Sequence, residues 1–372
     1  MKSISIILLS CLMLLSLSLF GQTETNSINL SDLEVPTSPA FMLLDNTPVS
    51  IENPVSSKAL VLSVLDAINT GNGFPKDYAV EFTPFWFFEH PDMTAYKYFG
   101  FRSDTTDKQN VWKDLPRASF SFAFTSGESS IENQEISIND IAVGGRTKIL
   151  SIRSKNDIEE YKSILGSIED SLTSQLIEMN KIKDPSLKKA MLNKYAKNPN
   201  FLKLKEDLNN ILNRRPIFSL DAAVGYNHFF LDNNFNDSHF GRFGAWLTGN
   251  YSQAVNKKSR SLHYLNFYAV GRYFSDGTVW ENNGFVRKDF FDAGGKMEYE
   301  QGKFSFAGEY IYRFNDDIGK SYRCVGIVKY KLMEQVYLTC SFGKNFGTSD
   351  NLISFLGLNW GISSGKEQVQ LK

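Results

Sequence analysis

The sequence predicts an all-β chain of about twelve antiparallel strands, within a range of about 10–14, interrupted by one α-helical insert. Three observations predict it. Segments of alternating character recur along most of the chain, one face of most alternations is aromatic while the other is polar or charged, and residues 154–215 break the pattern with the three-to-four spacing of a helix. "KFSFAGEYIYRF", Lys303–Phe314, is the clearest alternation. Phe304, Phe306, Gly308, Tyr310, Tyr312 and Phe314 share one side, and Ser305, Ala307, Glu309, Ile311 and Arg313 share the other.

The elements follow in chain order. Lys2 precedes an apolar run, Ile4–Phe20, and the chain turns polar after Gly21. This is the layout of a cleaved signal peptide over residues 1–21, and it implies export. Residues 22–57 are punctuated by Pro36, Pro39, Pro48 and Pro54 and read as irregular. Their one apolar island, Phe41–Leu44, either docks on its own domain or plugs a barrel. Residues 58–153 hold the first strands: Lys58–Ile68, ambiguous between helix and strand, then Tyr78–Phe88, Arg117–Ser126 and Ile141–Ile152.

In the insert, Ile158, Tyr161, Leu165, Ile168, Leu172 and Met179 form a helical stripe, Ser154 and Asp157 suit its start, and Pro185 and Pro199 divide the remainder into two shorter helices. Residues 216–363 resume the alternation at Phe218–Tyr226, Phe243–Tyr251, Leu265–Tyr273, Phe291–Tyr299, Phe304–Phe314, Tyr322–Tyr330, Val336–Phe342 and Leu352–Ile362. Residues 364–372 are a polar tail. Gln301-Gly302 reads as a two-residue hairpin pairing Glu300 with Lys303, Tyr299 with Phe304 and Met297 with Phe306.

Composition narrows the function classes. The net charge is −1 and no basic stripe appears, so no nucleic-acid partner is expected. Cys324 and Cys340 alone follow the leader, which gives neither a disulfide framework nor zinc spacing; no metal or cofactor is expected. A three-residue connection would set these two cysteines opposite one another, although two small apolar residues is the plainer reading. "DNNFND", Asp232–Asp237, departs from a calcium-loop spacing and reads as a solvated loop.

The aromatic face decides between a soluble sandwich and a transmembrane barrel. Phe and Tyr number 30 and 16. They recur at the ends of segments whose length suits a tilted crossing of about 9–11 residues. Phe218, Tyr226, Phe243, Tyr251, Phe291, Tyr299, Phe304, Tyr310, Tyr322, Tyr330 and Trp360 are therefore expected to face lipid as girdles. Glu81, Arg146, Asp221, Arg242, Arg272, Lys296, Glu298, Glu309, Arg313, Arg323 and Lys329 are expected to line the lumen, since a charge in lipid costs about 2–4 kcal/mol at the midplane.

Loop parity is consistent with both termini in the periplasm. Connections near Lys331–Gln335, Gln301-Gly302 and Val255–Ser261 then fall on the periplasmic side. Asn345–Asp350, Asn315–Lys320, Ser275–Lys288 and Phe229–Arg242 fall outside. The helical insert and the long Glu89–Pro116 connection land in the periplasm, and an even strand count promotes Lys58–Ile68 to strand one.

A signal peptide, alternating aromatic strands and a final amphipathic strand together resemble the outer-membrane β-barrel class of Gram-negative bacteria over Lys58–Ser363. Trp360 is followed by "GISSGKEQVQLK" where that class ordinarily ends on an aromatic residue. The resemblance implies a porin-like integral protein of the outer membrane, in contact with its lipid, that passes or binds small polar solutes. One rival is a non-conducting anchor whose insert binds a periplasmic or envelope protein. Another is a lipid-modifying enzyme using His228 or His239, with Asn227, Asp232 and Ser238 close in sequence.

Overall fold

A computed structural model describes residues 39–44, 58, 61, 78–98, 100–101, 108–131, 134–212, 214–232, 234, 236–255, 263–281, 283–315, 319–333, 336–346 and 352–360. The expected signal peptide, most of 22–57 and the tail lie outside the described residues.

Among the described residues, eleven strands form one sheet in which each pairs antiparallel with the next in sequence. They are β1 (Tyr78–Phe82), β2 (Ser119–Ile131), β3 (Gln134–Ile152), β4 (Phe218–Leu231), β5 (Ser238–Ala254), β6 (His263–Glu281), β7 (Gly284–Gln301), β8 (Phe304–Asn315), β9 (Gly319–Met333), β10 (Val336–Lys344) and β11 (Leu352–Trp360). Among the described residues no helix is long and apolar enough to cross a membrane.

Several expectations need correction. Lys58 and Val61 are helical, so the strand expected there fails at those two positions; the rest of Lys58–Ile68 lies outside the described residues. β1 stops at Phe82 and Pro84–Phe87 winds into a 3-10 turn. Pro84 has no N–H to donate to a ladder, so the strand expected to reach Phe88 ends before it. Other strands outrun their aromatic segments: β3 and β6 each span 19 residues. Ser275–Lys288, expected as a long loop, is the far end of the β6–β7 hairpin, where Glu281 pairs with Gly284 and Asn283 takes φ 63°. Backbone pairing continued there through residues without aromatic alternation.

The β7–β8 turn is Gly302-Lys303, one position beyond the expected pair. Gln301 faces Phe304, Glu300 faces Ser305 and Tyr299 faces Phe306. Gly302, at φ 59°, supplies the positive dihedral that a type II′ turn needs at its first central residue. The displacement shifts the pairing by two residues, so every side chain keeps its face.

The insert forms α1 (Lys155–Asn180), α2 (Pro185–Ala196) and α3 (Pro199–Leu212). Ser154 caps α1 by accepting a hydrogen bond from the Asp157 N–H at 3.0 Å. Ile158, Tyr161, Leu165 and Ile168 of α1 pack on Leu208 and Ile211 of α3. Phe101, from the β1–β2 connection, is buried in the same core, with Tyr96 and Tyr98 against it. That connection is also tied down elsewhere. Ser151 N–H donates to Val111 O at 2.9 Å, and Arg117 donates to Tyr98 O at 2.7 Å while lying 4.0 Å above the Tyr98 ring. The long connection and the insert thus build one lobe, at the end of the sheet where β1 and β3 finish.

The Tyr161 hydroxyl donates to Ile211 O at 3.0 Å, and burial pushes its pKa up to about 12. Between its ordinary value of about 10 and 12 the folded lobe retains a proton that the unfolded chain releases, so lobe stability is full below that window and falls as pH rises through it. Helical circular dichroism followed through an alkaline titration should show this loss. Tyr161→Phe should abolish that pH dependence while costing about 0.5–1.5 kcal/mol at neutral pH through the missing hydrogen bond.

Candidate functional site: the charged face of the sheet

Strand register assembles side chains that are far apart in sequence into transverse rows. Trp246 faces Arg272, Arg272 faces Asp292, and Asp292 faces Arg313, which makes one row across β5–β8. Asn250, Tyr268, Lys296 and Glu309 make a second in the same way. Because side chains alternate, all of these lie on one face.

Asp292 is the centre of the first row. Its Oδ2 accepts from Arg272 Nε at 3.0 Å and Nη2 at 2.6 Å, and from Arg313 Nη2 at 2.9 Å. Its Oδ1 accepts from Arg313 Nε at 2.7 Å. The Arg313 guanidinium also lies 3.8 Å from the centre of the Phe346 ring. Nearby, Arg323 Nε stands 2.9 Å from Glu309 Oε1, and Lys296 Nζ stands 3.9 Å from Glu298 Oε2. Glu298 accepts hydrogen bonds from Tyr268 Oη at 2.9 Å and from the Ser305 hydroxyl. Lys296 is 4.2 Å from the Tyr268 ring centre. Lys329 faces Ser305 and Thr339. Buried charge is costly unless paired and hydrogen-bonded, and this pairing is what permits it here.

The first strands carry fewer charges on this face. Glu81 Oε1 accepts from Arg146 Nε and Nη2 at 3.2 and 3.1 Å. Asp221 faces Lys148 and accepts from Ser219 Oγ at 3.2 Å. Arg242 donates to Asp276 at 3.3 Å and Thr278 at 3.0 Å. All eleven sequence-predicted charged positions therefore share one face. Sequence reasoning passed over Trp246, Asn250, Asn266 and Tyr268, which join them. Their parity within each strand is the sequence signal that marks them.

The opposite face carries the rings. Phe218 pairs with Tyr251, Tyr226 with Phe243, Phe291 with Phe314 and Phe304 with Tyr330. Tyr310 and Tyr322 stack with centroids 5.7 Å apart, and Tyr299 shares the face with Phe306. Trp360 ends β11, and its side chain lies outside the described residues.

Several ionised side chains are buried on one face while many rings are exposed on the other. Arg323 is 0% and Asp292 1% exposed, while Phe342 is 64% and Tyr310 52% exposed. The apolar band is bounded. Along the ring face of β7 the order is Arg287, Asp289, Phe291, Ala293, Gly295, Met297 and Tyr299, with the first two exposed and charged.

The register also places the two cysteines and two of the histidines. Cys324 faces Lys344 and Cys340 faces Val328, so the register keeps the two thiols apart and both are free. Phe229 pairs with His239, which puts His239 on the Phe229 face and the adjacent His228 on the opposite one. The two histidines therefore share no site. His228 Nδ1 meets the Tyr226 hydroxyl at 2.9 Å, and His239 Nε2 meets Asp237 at 2.8 Å. Among the described residues no cluster of His, Cys, Asp and Glu could hold a metal ion.

Comparison with protein-family models and with curated proteins returns no match to either. The functional reading rests on the geometry.

Asp292→Ala would leave Arg272 and Arg313 buried without their shared carboxylate, and should cost about 3–5 kcal/mol in equilibrium urea unfolding. Replacing the three together by Leu and two Met residues should recover much of that loss. An Asp292→Ala cost below about 1 kcal/mol would mean that solvent, not pairing, carries the charge.

Proposed function

We propose that the chain is an integral outer-membrane β-barrel with a packed interior, which serves as an envelope anchor and holds its α lobe at the periplasmic side. One observation carries the reading: the rings are exposed while the ionised groups are buried. In water the exposed rings would forfeit about 25 cal/mol per Å² of apolar surface. In hydrocarbon they are at home, and the charges turn away from it. The apolar band on β7, Phe291–Tyr299, has the length of a tilted crossing of about 9–11 residues, and Arg287 and Asp289 mark where hydrocarbon would end.

Closure brings the β1 and β11 edges together, directly or through a further strand, and removes the exposed ladder that an open sheet would present. The tight Gly302-Lys303 turn lies at the lobe end, as periplasmic turns do, and the long hairpins project from the other end, as outer loops do. The lobe is then the surface open to a periplasmic or envelope partner, and outer-membrane lipid surrounds the ring face.

Passage of small polar solutes is the second reading. The alternation Arg272–Asp292–Arg313 favours it, because such a row makes a transverse field that orients a polar solute. Planar bilayers separate the two. The purified chain should require detergent and migrate differently on a gel before and after boiling, and it should give no conductance steps. Regular steps would establish passage in place of anchoring. A chain that is monomeric in plain buffer would remove both.

A further inference from the structure

We propose that residues 39–44 are a built-in plug, seated in a groove on the charged face of β1–β5 and closing the part of the interior that the ion-pair rows leave open. The inference rests on the barrel reading above. The groove is defined by register. Ala79, Ala123 and Ala142 are consecutive partners across β1–β3, and Ser121, Gly144 and Gly225 are consecutive partners one row along, across β2–β4. At comparable places on β6–β9 the same face carries Arg, Lys, Glu and Asp. Here it is a floor of small side chains two rows deep.

The segment fits that floor at backbone distance. A Cβ at Gly144 would lie 2.7 Å from Ala40 N, and one at Gly225 would lie 2.9 Å from Leu43 Cδ1 and 3.0 Å from Pro39 O. No larger residue admits so close an approach. Two polar groups anchor it: Ala40 N–H donates to Ser121 Oγ at 3.1 Å, and Arg242 Nη1 donates to Leu43 O at 3.2 Å. Leu43 is buried against Ala223 and Trp246, and Leu44 against the alanine row. The short 3-10 turn Phe41–Leu43 sets the two leucines on this floor. The groove therefore recognises a Pro-initiated turn through one hydroxyl acceptor, one guanidinium donor and a small-residue bed, and the chain supplies that ligand itself.

The test uses the full chain. In one variant a Gly-Ser stretch of equal length replaces residues 39–44; in another, Gly225→Val fills the groove and leaves the segment intact. Both should keep heat-modifiable migration and give discrete conductance steps where the native chain gives none. Variants that fold and stay as silent as the native chain overturn the plug and leave the barrel reading standing, as does a native chain that conducts equally. Loss of detergent dependence in the native chain overturns both. A third measurement does not depend on the fold of a weakened variant. Ala40→Cys with Ser121→Cys, with every native cysteine replaced, should form a disulfide in the folded protein, and failure to form it overturns the proposal.

Discussion

The strand pleat is the constraint on which this structure depends. Each strand sends neighbouring side chains to opposite faces, so once Arg272, Asp292 and Arg313 share a row, the rings beside them in sequence are committed to the other side. Nothing short of a one-residue slip could relieve this, and a slip would exchange the faces of a whole strand. Register is therefore held twice, by hydrogen-bonded charge on one face and by paired rings on the other.

The charged face shows how such a sheet tolerates ions out of water. Asp292 is opposed on both sides by arginine and accepts four hydrogen bonds from them, so its charge is spread across three strands. Glu309 and Arg323 form a further ion pair between β8 and β9, at 2.9 Å. Such pairs often contribute less to net stability than apolar packing would. On β1–β4 two rows of that face are rich in alanine and glycine, and there the chain lays a segment of itself. On the proposed barrel reading, ions fill one half of the interior and backbone the other.

How much of this was legible depended on whether the signal was local. The β8 alternation can be read from Lys303–Phe314 directly, and all eleven charged positions follow from parity alone. The start of α1 was visible because Ser154 and Asp157 are three residues apart. Signals that depend on distant partners were not. The apolar island Phe41–Leu44 stands out in sequence, but its bed of Gly144 and Gly225 appears only when β3 and β4 are aligned. Phe101 sits in the long Glu89–Pro116 connection, and its place appears only when α1 and α3 enclose it. The hairpin arms beyond Asp289 and Ser275 lack aromatic periodicity, so their pairing could not be read from composition.

On the proposed reading, the ring face meets hydrocarbon and the charged face does not. Single cysteines placed in turn along β8 from Phe304 to Phe314, labelled with a fluorophore in lipid vesicles carrying a quencher on the acyl chains, address it position by position. Quenching is expected with a period of two, strong at Phe304, Phe306, Tyr310 and Phe314 and weak at Ser305, Ala307 and Ile311. Uniform weak quenching, or strong quenching at the second set, would contradict it.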